Sequence, residues 1–248
     1  MDLSVVIPVY NEAGNLRSLA REVYTALSGR SFELILVDDA STDDTAAEAA
    51  RVQAEFGNAL VVARHARNAG QSTALHTGFR VARHEWVVTL DGDGQNDPAD
   101  IPRLLAVIED PGFDRRVKLV TGLRQRRQDS WVRRLSSRIA NVVRRAVLKD
   151  GVPDTGCGLK LIERDAFLNL PYFDHMHRFI PALVQQGGGK VISVPVNHRP
   201  RQWGSSKYGI GNRLFTGIVD LAGVAWLGRR NRNTAWTLRG RDASSSAD

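Results

Sequence analysis

Short apolar runs and amphipathic stretches alternate along the first half of the chain. The apolar runs are rich in β-branched residues and end in polar turns, which is typical of buried strands. Each run is followed by a segment whose apolar residues recur at helical spacing, which indicates a helix packed on a sheet. The predicted strands are residues 3–9, 34–37, 60–63 and 86–90, and the predicted helices are 12–27, 43–56, 72–82 and 101–108. This alternation predicts an α/β domain with a mostly parallel sheet flanked by helices.

The alternation loosens after a fifth predicted strand at residues 117–121. Two later segments, 130–148 and 210–227, have an apolar stripe, arginines and a tryptophan, Trp131 or Trp226. This composition suits helices that lie in a membrane interface, although packing on the core or on another subunit would give the same pattern. A short helix at 179–186 and a strand at 191–196 are predicted between them. The predicted organisation is a catalytic domain at 1–209, an amphipathic membrane-interface or oligomer helix at 210–230, and a flexible tail at 231–248.

Acidic side chains follow several of the predicted strands at the point where each strand ends. Glu12 follows the first strand, Asp38 and Asp39 the second, and Asp91 and Asp93 the fourth. In a parallel sheet, ligands bind beyond the carboxyl ends of the strands. Strand-to-helix turns are polar in any protein, but that explanation accounts poorly for several acid-rich ends. We therefore expect a ligand site at this edge of the sheet.

The sharpest local feature is Asp91-Gly92-Asp93, which places two carboxylates one residue apart. Such carboxylates repel each other unless a cation lies beside them, and a few oxygen ligands suit Mg²⁺ or Mn²⁺ with substrate phosphates completing the shell. Alone, this pattern is a weak signal. The sequence contains neither G-x-G-x-x-G after the first strand nor G-x-x-x-x-G-K-[ST]. A diphosphate would therefore be held by metal and side chains rather than by a glycine-rich loop.

The positive charge of the chain is concentrated in one block. The net charge is +7, whereas residues 115–149 alone carry +11 and the remainder −4. A block of this kind predicts a polyanionic partner such as nucleic acid, anionic lipid or a phosphorylated ligand. A solvated basic helix without a specific partner is the simpler alternative.

Cysteine content and the N-terminal sequence predict a cytoplasmic protein. One cysteine, Cys157, excludes an internal disulfide, and the start lacks the basic and apolar stretches of a signal peptide. The longest apolar run falls short of the roughly 20 residues that span a bilayer.

Eight segments, spread over roughly residues 3–210, carry a recognisable pattern. The segments are VVIPVYNE at 5–12, VDDASTDDT at 37–45, RNAGQSTALHTGF at 67–79, DGDGQNDP at 91–98, TGLR at 121–124, WVRRLSSRIAN at 131–141, DTGCGLKLIERDAF at 154–167 and RQWGSSKYG at 201–209. In sequence and in order they resemble family 2 glycosyltransferases of the dolichol-phosphate mannose synthase and bacterial polyprenyl-phosphate glycosyltransferase type. The resemblance implies the GT-A fold, a Rossmann-like α/β domain, with C-terminal amphipathic interface helices.

The resemblance also implies roles for individual residues. The residues that would bind the donor nucleotide-sugar are Pro8, Tyr10, Glu12, Asp39, Arg67, Asp91 and Asp93. Asp91, Asp93 and Gln95 would contact a divalent metal, Mg²⁺ or Mn²⁺. Arg124, Arg134 and Ser137 would hold the acceptor phosphate, and Arg201 and Lys207 would close over the donor phosphates. The implied catalytic set is Asp91, Asp93, Arg124, Arg201 and Lys207.

The implied reaction is inverting transfer of a sugar from a GDP- or UDP-sugar to a polyprenyl phosphate. The acceptor phosphate is already anionic at neutral pH, so it can attack the anomeric carbon without a general base. GDP-mannose or another hexose is the expected donor, and the expected location is the inner face of the membrane, with peripheral attachment and a possible homo-oligomer. A family 2 transferase with a glycan hydroxyl acceptor is the main alternative. A basic scaffold that binds nucleic acid or membrane is another, but sparse aromatics make nucleic acid an unexpected partner.

Overall fold

A computed structural model describes residues 2–125, 144, 146–148, 150–201, 203 and 210–231. Seven strands and seven helices are defined within these residues. The strands are β1 Leu3–Val9, β2 Phe32–Asp38, β3 Leu60–Arg64, β4 Trp86–Thr89, β5 Val117–Arg124, β6 Lys160–Glu163 and β7 Lys190–Val196. The helices are α1 Ala13–Ala26, α2 Thr45–Phe56, α3 Gln71–Val81, α4 Ile101–Ile108, α5 Arg164–Leu168, α6 Ile180–Gln186 and α7 Ile210–Arg230.

The strands form one seven-stranded sheet in the order β3-β2-β1-β4-β6-β5-β7. β1 to β4 are parallel to one another, and β5 is parallel to β7. β6 lies between β4 and β5 and is antiparallel to both. The prediction of a mostly parallel sheet with flanking helices is therefore confirmed.

Apolar layers cover both faces of the sheet. In one layer, α1, α2 and α4 pack against the strand side chains that point to their side of the sheet. Leu16, Leu19 and Val23 lie on the buried side of α1. The other packs α3, α5 and α6, where Phe79 and Phe167 stack with ring centroids 3.8 Å apart. Because both faces are covered, all seven residues of the interior strand β1 are buried.

The region between β5 and β6 is largely outside the described residues. Of the predicted helix at 130–148, residues 144 and 146–148 are described and are helical, whereas Trp131, Arg134 and Ser137 are outside the described residues. Lys207 and the predicted tail from residue 232 onward are also outside them. Strand β6 and helix α5 were not predicted from the sequence.

Helix α7 extends three residues beyond its predicted end. It packs onto the body of the protein through residues such as Val224, while Ile218, Val219 and Trp226 on its other side are more than half exposed. Among the helices that the structure describes, none is both long and apolar enough to cross a membrane.

Candidate functional site

A cavity of about 310 Å³ lies beyond the carboxyl ends of β1, β2 and β4. This is the edge of the sheet at which the sequence predicts a ligand site. Its wall contains four carboxylates and one guanidinium. The lining residues are Pro8, Val9, Tyr10, Glu12, Asp39, Asn68, Gln71, Ala74, Asp91, Gly92, Asp93, Gln95 and Arg201.

The turn after β4 lies directly on the end of β1. A Cβ placed on Gly92 would lie 2.7 Å from the Val9 side chain and 3.0 Å from the Pro8 carbonyl oxygen, so only glycine permits this approach. The ladder between β1 and β4 ends at Val6 and Thr89, before Pro8. Proline therefore costs no hydrogen bond to β4, and its carbonyl faces the turn that carries Asp91.

Asp39 organises the turn that precedes α3. Its Oδ1 accepts hydrogen bonds from the Ala69 amide and His65 Nδ1, at 2.8 and 2.7 Å, and its Oδ2 accepts the Gly70 amide at 2.8 Å. The other ring nitrogen of His65 contacts the Thr77 hydroxyl at 2.9 Å. Two backbone amides thus offset the charge of this buried carboxylate and fix its position on the cavity wall.

Glu12 and Arg201 face each other across the cavity. Glu12 precedes α1, and its carboxylate accepts a hydrogen bond from Asn15 Nδ2 at 2.7 Å, while its backbone amide donates to Thr45 Oγ1. Arg201 Nη1 lies 3.9 Å from Glu12 Oε1. Arg201 therefore brings a positive charge from the segment after β7 to an otherwise acidic wall.

Asp91 begins the turn after β4 and lies on the wall of the cavity. Gln71 Nε2 donates to Asp91 Oδ1 at 2.8 Å, and the backbone amide of Asp91 donates to Asn96 Oδ1 at 3.0 Å. Burial, followed by the neighbouring charge of Asp93, raises the pKa of Asp91 to about 6. A Cβ on Gly158 would lie 2.2 Å from Asp91 Oδ2, so the segment before β6 also packs against this carboxylate.

Asp93 occupies the outer end of the same turn. Its Oδ1 accepts the Gln95 amide at 3.1 Å, and its Oδ2 accepts Arg201 Nη2 at 2.7 Å. Gln95 in turn donates its side-chain amide to the Arg199 carbonyl at 3.4 Å. The three residues Asp93, Gln95 and Arg201 are thus tied together at one rim of the cavity.

Asp91 and Asp93 are the cavity side chains best suited to a cation. Burial first and the charge of Asp93 second raise the pKa of Asp91, and a cation beside the two carboxylates would offset both effects. Within the described residues, no group of three or more His, Cys, Asp or Glu side chains is arranged to hold a metal ion. Mg²⁺ commonly needs only one or two carboxylates together with substrate phosphates, so this pair fits that mode of binding.

A second charged cluster lies beside Asp91 on the β5–β6 side. Arg124 donates Nε and Nη2 to both oxygens of Asp154, at 2.7 and 2.8 Å. Lys160 is fully buried, and its ammonium donates to the Cys157 carbonyl. Both cations are close enough to Asp91 to oppose the rise in its pKa. The cluster therefore places two positive charges close enough to act on a carboxylate of the cavity wall.

The predicted site residues fall into three groups. Those that line the cavity are Pro8, Tyr10, Glu12, Asp39, Asp91, Asp93, Gln95 and Arg201. Arg124 lies in the neighbouring cluster, and Arg67 is exposed and is absent from the described residues of the lining. Arg134, Ser137 and Lys207 are outside the described residues, so their roles stay predictions.

Three residues of the site were given no role from the sequence, although all three lie in the segments that carry the family resemblance. Gln71 donates a hydrogen bond to Asp91, and Asp154 accepts two from Arg124. Lys160 is buried near Asp91 and Arg124. A list of motifs contains such residues but does not show which of them meet across the sheet.

Comparisons with known proteins agree with the geometry. Residues 4–170 match the family model described as Glycosyl transferase family 2. An undecaprenyl-phosphate 4-deoxy-4-formamido-L-arabinose transferase of Enterobacter sp. (strain 638) is 38% identical over 221 residues, which are 88% of this chain and 66% of that protein. A dodecaprenyl-phosphate galacturonate synthase of Rhizobium johnstonii is 36% identical over 234 residues, or 92% of this chain and 68% of that protein. The chain thus spans about two thirds of the length of these relatives.

Solved structures support the fold assignment. Glucosyl-3-phosphoglycerate synthase from Mycobacterium tuberculosis, solved with Mn²⁺, UDP and glucosyl-3-phosphoglycerate, superposes with a TM-score of 0.69. The match covers 94% of this chain and 81% of that one at 18% identity. At this identity the likeness concerns the fold, and it confirms the predicted GT-A type. From the family match and the identity to its relatives, we conclude that the chain belongs to glycosyl transferase family 2.

Proposed function

We propose that the protein transfers a sugar from a nucleotide-sugar to a polyprenyl phosphate, with inversion at the anomeric carbon. The observation that carries the proposal is the pairing of two oppositely charged regions. The carboxylates Glu12, Asp91 and Asp93 line a cavity at the carboxyl ends of parallel strands. The Arg124 guanidinium is near enough to Asp91 for its positive charge to lower the pKa of that carboxyl. This arrangement suits two anionic substrates that must be brought together.

The acidic cavity is the proposed donor site, with a divalent cation as part of it. Asp91 and Asp93 would hold Mg²⁺ or Mn²⁺, the ions named with UDP in structures of the M. tuberculosis synthase. When bound, the cation would neutralise charge on the leaving nucleoside diphosphate. Arg201, which lies between Asp93 and Glu12, would contact the same phosphates and stabilise the leaving group. Tyr10 and Asp39 would line the nucleoside.

The proposed acceptor site lies at Arg124. Asp154 fixes this guanidinium through a bidentate contact that uses two of its five N–H donors. The remaining donors can orient a phosphate monoester, whose oxygen is anionic near neutral pH and needs no general base. The protein then contributes by positioning the two anionic substrates and by screening their charges, rather than by transferring a proton.

Helix α7 supports a peripheral membrane location for the reaction. Ile218, Val219 and Trp226 form an exposed apolar face, and Arg229 and Arg230 follow at the end of the helix. An apolar face next to basic residues is typical of helices that lie at an anionic membrane surface. Such a surface would bring the active site to its lipid substrate.

The sugar is the least constrained part of the proposal. The relatives named above carry formamido-arabinose and galacturonate in their names, and mannose is named in neither. GDP-mannose therefore stays a prediction. A donor panel should include uronic acids and modified pentoses beside hexoses, each as its GDP- or UDP-sugar.

A donor panel with lipid-phosphate acceptors tests the proposal directly. Purified protein with Mg²⁺ or Mn²⁺, a short polyprenyl phosphate and each nucleotide-sugar is analysed by mass spectrometry for lipid-phosphate-sugar. We expect a product with one donor that disappears with chelator and with Asp93→Asn. Asp110→Asn is the matched control. Asp110 is an exposed carboxylate that is absent from the described residues of the cavity lining, and it accepts a hydrogen bond from the Gly112 amide in its own turn. Donor binding without a lipid product would favour a glycan hydroxyl acceptor, and absence of donor binding would overturn the proposal.

A further inference from the structure

The segment after β7 is joined to the turn that carries Asp93. The Arg199 amide donates to the Gln95 carbonyl at 2.9 Å, and Gln95 Nε2 donates back to the Arg199 carbonyl. His198 forms an antiparallel bridge with Asn96. These contacts form an isolated β-bridge, so the segment runs antiparallel beside the turn after β4.

The side chain of Arg199 connects three separate elements. Its Nη1 donates to Glu22 on α1, and its Nη2 donates to Asp97, which also caps the turn before α4 through the Ala99 amide. About one third of the Arg199 side chain is exposed. A planar guanidinium can reach two carboxylates at once, whereas a lysine ammonium offers no such fixed fork.

A second contact holds the segment farther along the chain. A Cβ placed on Gly14 would lie 3.3 Å from Trp203 Cγ, so the indole rests against the start of α1 where there is no side chain. Arg199 and Trp203 therefore attach the segment to α1 on either side of Arg201. Arg201 contacts Asp93 and Glu12 from this fixed segment.

We propose that Arg199 is a positioning residue that sets the place of Arg201 in the cavity. Arg199 is not among the described residues that line the cavity, so it acts through the segment and not on a substrate. Its two carboxylate partners fix the segment relative to both α1 and the Asp93 turn. This inference rests on the proposed function only in taking Arg201 as a ligand of the donor phosphates.

A simple structural role makes a different prediction. If Arg199 formed only a surface ion pair, its loss would change stability slightly and would leave nucleotide binding unaffected. If it positions Arg201, its loss should weaken nucleotide binding only while Arg201 is present. A double-mutant cycle separates these cases.

The experiment measures binding of UDP and of GDP, each with Mn²⁺, by calorimetry in four proteins. They are the wild type, Arg199→Gln, Arg201→Gln and the double variant. We expect Arg199→Gln to weaken binding about fivefold to tenfold, and the same change to have less than about a twofold effect once Arg201 is replaced. Arg21→Gln is the matched control, because Arg21 on α1 pairs with Glu55 on α2 and its loss removes the same charge from an exposed ion pair.

A second variant guards against loss of folding. Glu22→Gln removes one partner of Arg199 from α1 without altering the segment, and thermal unfolding is recorded for every protein. It should weaken nucleotide binding in the same direction and by less. Additive effects of Arg199→Gln and Arg201→Gln, or unchanged binding in Arg199→Gln or Glu22→Gln, would overturn the positioning role alone. A wild-type protein that binds neither nucleotide would overturn the proposed function and, with it, this role.

Discussion

The two halves of the sheet differ in how their charged side chains are paired. One half, β1 to β4 with α1 to α3, contains the proposed donor site and is called the donor half, while the half with the proposed acceptor site is called the acceptor half. The donor half lines its open cavity with the carboxylates Glu12, Asp39, Asp91 and Asp93. The acceptor half, β5 to β7 with residues 150–160 and α7, keeps its charges in internal pairs such as Arg124 with Asp154 and Arg144 with Asp150. The two halves join where β4 pairs with β6, next to Asp91.

This difference indicates how the work is divided between the halves. An open cavity with several carboxylates repels a diphosphate unless cations accompany it, whereas a guanidinium already fixed by Asp154 can receive a phosphate without rearrangement. Under the proposed function, the donor half therefore needs a cation that binds together with the donor. The acceptor half supplies its positive charge from its own side chain, Arg124. Each of the following substitutions tests one side of that contrast.

The largest effect is expected from Asp93→Asn in the donor half. The change removes a carboxylate from the proposed cation site and breaks the 2.7 Å contact with Arg201. We expect sugar transfer to fall about 10²- to 10³-fold or more, because stabilisation of the leaving diphosphate is lost. The measurement is kcat/KM with the active donor, beside Asp110→Asn and with thermal unfolding of both variants. Retention of more than a tenth of the activity would show that Asp93 is not essential to the donor site.

A smaller effect confined to one substrate is expected from Arg124→Lys in the acceptor half. Lysine keeps the charge but cannot reproduce the bidentate contact with Asp154. We expect kcat/KM for the lipid phosphate to fall about 10²-fold, since misplacement by an ångström carries that order of cost. Calorimetry should show nucleotide affinity unchanged. An equal loss of nucleotide affinity would contradict the division between the two halves.

The donor half was predictable because its signals are local. Each strand runs directly into a polar turn and a helix, so periodicity placed most element boundaries within two residues. Because parallel strands end at one edge, the motif residues after β1, β2 and β4 could be expected to share a cavity, and they do.

The acceptor half was harder to predict because its contacts are distant in sequence. β6 has four residues, and its direction is set by pairing with β4 and β5 rather than by its own pattern. Arg124 and Asp154 are thirty positions apart. A lysine in a strand usually indicates that its side chain is exposed. Lys160 is nevertheless buried, and its strand β6 lies between β4 and β5. No local pattern reports such pairings.

At the junction of the halves, Asp91→Asn should stabilise the protein at neutral pH. The pKa of Asp91 is about 6 in the folded protein against 3.8 as the reference, so the folded state binds this proton more tightly. The free energy of unfolding therefore falls as the pH rises from about 4 to about 6, and the loss persists above that range.

The asparagine variant avoids this loss while keeping an oxygen for the Gln71 contact. We expect a gain of about 2–3 kcal/mol at pH 7.5 in the presence of chelator, which vanishes near pH 4. Urea unfolding at both pH values measures it. A variant less stable than the wild type at pH 7.5 would show that the paired cations of the acceptor half already compensate Asp91.

The smallest effect expected here tests how tightly the two halves are packed, through Gly158→Ala. The backbone of Gly158 is not among the described residues with positive φ, so alanine meets a steric obstacle only. Its Cβ would lie 2.2 Å from Asp91 Oδ2 and 2.6 Å from Asn96 Oδ1. We expect the free energy of unfolding to fall by about 1–3 kcal/mol, as for overpacking elsewhere.

Gly223→Ala on α7 is the matched control, because its Cβ meets nothing within 4 Å and alanine favours a helix by up to about 1 kcal/mol. Equal stability of the two variants would mean that the segment before β6 can move away from Asp91, so that the charges of the acceptor half are not held against the donor cavity.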